Sequence, residues 1–322
     1  MATNGQTTAV QTRPSRLARR TARRRGARSA AAPGARRDAR WAYLFVAPFF
    51  VVFAVFGLYP LGYALLLSFT DWHGAGVANW IGLDNYRYLL SSGEFWASLG
   101  RSGVIWLLVV PAQAVLSLAL AVLLSRPDLR GRGLFRTAFI VPFVTPLIAM
   151  AEIWIVMYDD DFGLVNAVLN FFGLPDVGWL TTTAWAKPTL ALLVLWKTTG
   201  FAIILMLAGL QAIDRGLYEA AEMDGAGAWT KFWRVTVPLM RRTIAFYVVT
   251  VTLIVFQMFA EPYVVTRGGP YNSTTTAGLY LYDNIRASDF GTGAANSFLL
   301  VLLVFGLSLL AVRLLRSKEE TR

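Results

Sequence analysis

Residues 188–260 read PTLALLVLWKTTGFAIILMLAGLQAI, then DRGLYEAAEMDGAGAWTKFWRVTVPLMRR, then TIAFYVVTVTLIVFQMFA. The first and third segments, 188–213 and 243–260, are each close to the roughly 20 apolar residues that a helix needs to cross the hydrocarbon core of a membrane. Lys197 is the only charged residue in these two segments. The segment between them, 214–242, is polar. This order predicts two membrane-spanning helices that are joined by a long polar loop.

The composition of the whole chain agrees with a membrane protein and argues against an enzyme. Hydrophobic residues make up 56% and charged residues only 15%, whereas soluble domains have about 25% charged residues. There is no cysteine, and His73 is the only histidine. No hydrolase or zinc-binding motif surrounds that histidine. We therefore predict no catalytic residue, no metal site and no cofactor.

Six segments of the chain are long and apolar enough to cross a membrane, and we predict an all-α protein with six transmembrane helices. Two of the segments contain one ionisable residue each, Glu152 and Lys197. The segments are 41–70, 102–125, 137–158, 188–213, 243–260 and 292–312.

The basic residues predict the orientation of these helices. Of the 30 Lys and Arg residues, 24 fall in the N-terminal tail, in the loops 126–136 and 214–242, and after residue 312. Because cytoplasmic loops carry the excess of Lys and Arg, we place both termini in the cytoplasm.

The same distribution divides the chain into a membrane domain and two tails. Residues 1–38 form an arginine-rich tail that we expect to be disordered, since its composition cannot bury enough apolar surface to fold. The membrane domain covers 39–316, and 317–322 form a C-terminal cytoplasmic tail. Membrane lipid is an expected partner of this chain and nucleic acid is not.

The loop 214–242 has sequence signals for two short helices. Asp214 can cap the first helix, and Leu217 lies at helical spacing from the small residues Ala220 and Ala221. Gly225 suits the end of this helix, where a positive φ is common.

A second helix follows over 228–237, and Pro238 is expected to end it.

The run LYEAAEMDGA at 217–226, followed by Pro238 and Leu239, resembles the signature loop of the binding-protein-dependent ABC permeases. The resemblance extends from about Ala42 to the C-terminus and is closest to the carbohydrate-type subgroup, the maltose and glycerol-3-phosphate permeases. Supporting runs are LYP (58–60), SFTDW (68–72), GLDNY (82–86), GRGLFR (131–136), WKTTGF (196–201) and GGP (268–270).

This resemblance implies a type I ABC importer permease in the cell membrane of a bacterium, which moves a sugar or sugar derivative. It also implies three kinds of partner: a separate cytoplasmic ATPase subunit in two copies, a second permease subunit and an extracellular solute-binding protein. The loop would be the coupling helix that docks on the ATPase. Its implied site residues are Tyr218, Glu219, Ala220, Ala221, Asp224, Gly225 and Pro238.

The sequence departs from the family at two positions, since Asp214 and Gly216 stand where the family often has proline and glutamate. Glycine weakens the first turn of a helix by roughly 0.5 to 1 kcal/mol relative to alanine. We therefore expect the coupling helix to depend on its partner for order.

Lys197 and Glu152 are functional candidates, because ionisable residues are costly inside a membrane. We expect Lys197 to face a cavity or an interhelical carbonyl group rather than lipid, and pairing with Glu152 is the less favoured arrangement. Glu152 lies near the outer end of its segment, where it could also reach the interface.

Two other functions and one local ambiguity stay open at this point. A proton-coupled secondary transporter could use Glu152 or Lys197, but it predicts two matching halves with broken helices, and no such repeat is visible. A membrane anchor or insertase would not explain the signature loop. Trp80, Asn85 and Tyr86 fit either a contact with a binding protein or a packed external loop.

Overall fold

The computed structural model describes residues 35–126 and 128–315. Most of the predicted basic tail, 1–34, and the predicted C-terminal tail, 317–322, lie outside the described residues. Residues 35–38, which we expected to belong to the disordered tail, lie in the first helix, Ala35–Phe53.

The regular structure in the described residues is helical, apart from one isolated bridge between Thr70 and Trp80. The α-helices are α1 (Ala35–Phe53), α2 (Tyr59–Leu67), α3 (Asp84–Ser91), α4 (Gly93–Ser125), α5 (Arg132–Val144), α6 (Leu147–Met157), α7 (Leu164–Phe171), α8 (Thr183–Gln211), α9 (Arg215–Met223), α10 (Ala228–Lys231), α11 (Val237–Leu239), α12 (Arg241–Phe256), α13 (Ala260–Val265), α14 (Ala277–Arg286) and α15 (Phe290–Leu315).

Within the described residues, the chain up to Tyr63 is one compact unit and the chain from Ala64 onward is another. The first unit is a helix with a π-helical turn at Ala54–Leu58. Its side chains from Tyr43 onward are almost all exposed. Exposed aliphatic and aromatic residues along a whole helix are typical of a segment that is solvated by lipid.

Five helices of the described chain are long and apolar enough to cross a membrane, and α5 with α6 makes a sixth span if this bent pair is counted as one. The predicted span over 137–158 is formed by two helices rather than by one continuous helix, because α5 and α6 meet at an angle of 96°. Pro146 explains the break. A proline disfavours helical conformation in the residue before it, and Thr145 has an extended backbone with a ψ of 135°.

The second unit is built around α4 and α8, which pack against each other along their length, with α12 and α5 against them. Buried Val109, Val194, Met206 and Val251 belong to the central cluster. At Gly200 the backbone of α5 comes so close that a Cβ atom would lie 1.9 Å from the carbonyl oxygen of Phe139. Small residues that let helix backbones touch are a principal source of helix association in membranes.

The segment between α2 and α4 is packed against the rest of its unit. The Asn85 amide is buried and donates to the Ser68 carbonyl oxygen over 3.0 Å, while its oxygen accepts from the Thr292 hydroxyl over 3.2 Å. The Tyr86 hydroxyl lies 2.8 Å from that of Ser68. Trp80 remains 66% exposed. Asn85 and Tyr86 therefore hold the fold together, which favours the second of the two readings that the sequence left open.

Candidate functional site

The first loop helix, α9, has the two ends that the sequence predicts. The Asp214 carboxylate accepts from the Gly216 amide over 2.9 Å, so Asp214 is its N-cap. At the other end the Ala226 amide donates to the Ala221 carbonyl and the Gly225 amide to that of Glu222, both over 2.9 Å. Gly225 has a φ of +78°. These two bonds around a left-handed glycine form a Schellman motif, and the prediction of a positive φ at Gly225 is confirmed.

The second half of the loop differs from the prediction, because Pro238 does not end the helix. The chain runs through α10, a π-helical turn at Phe232–Thr236 and α11, which contains Pro238. Proline is tolerated at the first positions of a helical segment, because its φ is already helical and the amide there needs no partner. The Met240 amide bonds to the Thr236 carbonyl over 2.9 Å and carries the helical path onward.

Two side-chain contacts join the halves of the loop. The Tyr218 hydroxyl lies 2.9 Å from that of Thr236, which is buried. Lys231 forms an ion pair with Glu222. The helix that we expected to depend on a partner is therefore braced by its own loop, and Tyr218 points inward.

The outer surface of α9 is open. Glu219, Ala220 and Asp224 are exposed, Ala221 is half-buried, and no residue of α9 is buried. Met223 is 89% exposed, and Glu219 has no hydrogen bond or ion pair within the described residues. An exposed face of small and partly apolar residues, with an unpaired carboxylate at Glu219, can accommodate another protein.

The loop connects two helices that touch at its base. α8 runs into the loop and α12 leaves it. A Cβ atom at Gly209 would lie 2.5 Å from the Thr243 hydroxyl oxygen and 3.0 Å from the end of the Met240 side chain. A side chain at this position would displace its neighbours, so the ends of α8 and α12 that lead into the loop are in direct contact.

A buried polar network lies further up the same helices. The Gln113 amide of α4 donates to the Thr198 hydroxyl of α8 over 2.7 Å and accepts from the Tyr247 hydroxyl of α12 over 3.0 Å. All three residues are at least 95% buried. Sequence reasoning missed this network because it searched the spans for charges. An uncharged amide in an otherwise apolar helix was the available signal.

Lys197 pairs with Glu261, whose Oε1 atom lies 3.0 Å from the lysine Nζ. The side chain faces a neighbouring helix, as expected, but its partner is a carboxylate of α13 rather than a carbonyl group. Glu261 follows directly on the apolar segment 243–260, where the distribution of basic residues predicts an external loop. Glu152 is exposed on α6 and forms no side-chain hydrogen bond or ion pair with the described residues. The structure therefore does not bring the two sequence candidates together.

An all-helical membrane protein with up to six spans and a braced helical loop between two of them has the architecture of an importer permease. Residues 113–319 match the family described as binding-protein-dependent transport system inner membrane component. The chain belongs to this family and is a multi-pass protein of the plasma membrane.

Curated relatives and solved structures agree with this assignment. The chain is 36% identical to the lactose transport system permease protein LacF of Rhizobium radiobacter, over 86% of this chain and 94% of the relative. It is 33% identical to the trehalose/maltose permease protein MalF of Thermococcus litoralis, over 88% and 96%. The crystal structure of a bacterial alginate ABC transporter contains a chain of the same fold, with a TM-score of 0.75 and 22% identity, covering 87% of this chain and 95% of that one. The fold is that of a type I permease.

Proposed function

We propose that this chain is the permease subunit of an ATP-driven importer and that the loop 214–242 couples it to a separate ATPase subunit. The observation that carries the proposal is the open face of α9, a structured helix without a buried residue in the loop that connects two spans. A helix that is held on one side by its own loop and exposed on the other can bind a partner protein and transmit its movement to α8 and α12.

The transported solute is a sugar or sugar derivative. Relatives with at least 30% identity over more than four fifths of this chain include permeases named for lactose, trehalose and maltose, alpha-glucosides and arabinooligosaccharides. Each of these permeases is named for a carbohydrate, although the carbohydrates differ from one another. The test is uptake of a panel of labelled mono-, di- and oligosaccharides by cells with and without the chain. No difference for any member would contradict this solute class.

The contacts of the loop follow from its exposed groups. Glu219 supplies a negative charge that a cation of the ATPase can pair, and Ala220 leaves room for close approach. Gly225 and Asp224 shape the turn, whereas Tyr218 acts from behind through Thr236. Reversal of a charge at such an interface replaces attraction with repulsion, which costs several kcal/mol.

The finer assembly is also part of this proposal. Two ATPase copies, a second permease subunit and an external solute-binding protein complete the transporter. Both termini of this chain lie in the cytoplasm, and the excess of Lys and Arg in its loops supports this orientation. The exposed side chain of Glu152 fits a water-filled pathway better than lipid, because a carboxylate in hydrocarbon is expensive.

The orientation of the termini can be measured with cysteines introduced at 36 and 313 and a membrane-impermeant thiol reagent in intact cells. Labelling from outside would contradict it.

The decisive experiment is co-purification of the ATPase with Glu219→Lys in membranes that contain normal amounts of the permease. We expect at least tenfold less ATPase to be retained. The matched control is Asp128→Lys, since Asp128 is an exposed acid in the other basic loop and should leave retention unchanged. Equal retention in the two variants would make 214–242 a simple connector.

The proton-coupled alternative is less favoured, because the chain belongs to a binding-protein-dependent family and Lys197 is already paired with Glu261. One comparison separates the two functions. Uptake should stop when the ATPase is inactivated and should continue when a protonophore collapses the proton gradient.

A further inference from the structure

The two halves of the loop 214–242 carry opposite charges. Residues 214–224 contain four acids and one base, whereas residues 225–242 contain four bases and no acid. The acids are Asp214, Glu219, Glu222 and Asp224, and the bases of the second half are Lys231, Arg234, Arg241 and Arg242. A cationic surface that attracts the first half repels the second. The second half is therefore suited to a different partner, and that partner is anionic.

The second half lies beside the helix bundle. Phe232 and Val237 are half-buried and pack against the central hydrophobic cluster, which includes Leu207 near the end of α8. Residues 228–239 therefore stay against the bundle instead of projecting away from it. The span that follows begins at Arg241. Because a guanidinium group is costly in hydrocarbon, the start of this span and the segment beside it lie at the level of the lipid headgroups.

Two tryptophans of this segment are exposed beside Phe232. Trp229 is 73% and Trp233 is 51% exposed, and the centroids of their rings lie 5.7 Å apart. The ring of Trp233 also contacts that of Phe232, with centroids 5.1 Å apart. An indole prefers the headgroup layer, where its ring meets acyl chains and its N–H meets polar groups. The half-buried phenylalanine thus holds two indoles at the layer that suits them.

Two arginines of the second half are available to bind an anion. Arg234 and Arg241 are exposed and form no hydrogen bond or ion pair within the described residues. Lys231 differs, because it is paired with Glu222. The planar guanidinium group can donate two parallel hydrogen bonds to the oxygen atoms of a phosphate group. Two unpaired guanidinium groups at headgroup level therefore have the chemistry to bind phospholipid phosphates.

We propose that the second half of the loop is a binding surface for anionic phospholipids, here named the lipid face, which Trp229, Trp233, Arg234 and Arg241 form. The tryptophans enter the headgroup layer, and the arginines bind lipid phosphates. Anionic lipids are preferred to zwitterionic ones, because they carry no cation of their own that repels the arginines. The inference goes beyond the coupling function of the loop and holds whether or not the ATPase binds α9.

The test measures which lipids lie next to the lipid face in the complete transporter. The chain has no cysteine, so Trp233→Cys can carry a single fluorophore, excited at wavelengths that tryptophan does not absorb; the partner subunits are used without cysteines. The transporter is placed in nanodiscs of equal parts phosphatidylcholine and phosphatidylglycerol. Bromine atoms, which quench the fluorophore on contact, are attached to the acyl chains of one lipid at a time. The control position is Met223→Cys, at an 89% exposed residue of the acidic half.

Brominated phosphatidylglycerol should quench the fluorophore at 233 at least about twofold more than brominated phosphatidylcholine, because each arginine near an anionic surface favours association by about fivefold. In Arg234→Gln with Arg241→Gln, the two lipids should quench equally. Arg215→Gln, the matched change at an exposed arginine of the acidic half, should keep the preference. The fluorophore at 223 should be quenched by neither lipid.

Equal quenching by the two lipids at 233 would overturn the lipid face. A preference that survives in the double arginine variant would also overturn it, and so would quenching at 223 as strong as that at 233.

Co-purification of the ATPase separates the lipid face from the docking surface on α9. The double arginine variant should retain the ATPase as the wild-type chain does. A loss as large as that in Glu219→Lys, with the lipid preference unchanged, would assign the second half to the ATPase and overturn the lipid face. Normal retention in Glu219→Lys would instead contradict the coupling function of the loop, and the lipid preference would be unaffected.

Discussion

The centre of the helix bundle and the loop 214–242 use polar residues in opposite ways. In the centre Gln113, Thr198 and Tyr247 are buried and satisfy one another across three helices. In the loop the internal contacts of Tyr218 and Glu222 lie behind α9, and its front is left open.

This difference separates residues that the fold requires from residues that only binding to another protein requires. Removing a buried amide or hydroxyl destabilises the protein, because the polar group that it bonded is left with neither that partner nor water. An exposed carboxylate or turn residue can change with little effect on the folded chain, while the contact that it makes with another protein is lost. We therefore expect changes in the centre to lower the amount of folded protein, and changes in the loop to affect only the proposed coupling to the ATPase.

The largest effect is expected for Gly200→Val in the centre. A Cβ atom there would overlap the Phe139 carbonyl oxygen at 1.9 Å, and backbone atoms cannot yield as a flexible side chain can. We expect a loss of more than about 3 kcal/mol and little folded protein in the membrane, as measured by fluorescence-detected size exclusion. Gly306→Val is the control, since nothing lies within 4 Å of that site. Equal amounts of the two variants would mean that α5 and α8 are not in backbone contact.

A smaller loss is expected for Tyr247→Phe. The change removes the hydroxyl that donates toward Gln113 and leaves a buried acceptor unpaired, which costs about 1 to 3 kcal/mol. The thermal unfolding midpoint in detergent should fall, while the loop should still retain the ATPase. Tyr43→Phe changes an exposed tyrosine and should have no effect. A normal midpoint for Tyr247→Phe would contradict the network.

Gly225→Val tests the turn of the loop. A left-handed backbone costs an L-residue roughly 1 to 2 kcal/mol, and a β-branched side chain is among the least suited to it. This cost falls on a surface turn, so protein amount should be close to normal and ATPase co-purification should drop severalfold. Gly227 has a negative φ of −68°, which makes Gly227→Val the matched control. If both variants retain the ATPase, the shape of the turn does not matter for docking.

The smallest effect is expected for Asp214→Ala, which removes the N-cap of α9. Loss of such a cap costs about 1 kcal/mol, and the contacts of Tyr218 and Lys231 still hold the helix. ATP hydrolysis by the complete transporter should fall by less than a factor of ten, and Asp214→Ser should restore it. An effect larger than that of Glu219→Lys would show that Asp214 itself contacts the ATPase.

The sequence predicted those features that depend on neighbours along the chain. Apolar segments of sufficient length marked the spans, and Asp214 and Gly225 marked the ends of α9, because capping is decided within one turn of helix. The signature run 217–226 then identified the loop and its family.

The sequence missed a pair that depends on distant partners, and it did not predict the local effect of two prolines. Glu261 meets Lys197 across 64 positions of sequence, and a hydropathy window contains no information on such a pair. The break at Pro146 was overlooked because prolines are tolerated inside transmembrane helices when neighbouring helices satisfy the freed groups. Pro238 was expected to stop a helix that a π-helical turn allows to continue.

The contacts of Tyr218 and Lys231 have a consequence for how the transporter assembles. A segment that folds only on binding loses conformational entropy at that moment, and its affinity is reduced accordingly. Here that entropy has been lost before the two proteins meet, since the loop is held from within. Association should therefore follow one kinetic phase that depends linearly on ATPase concentration, without a slower folding phase.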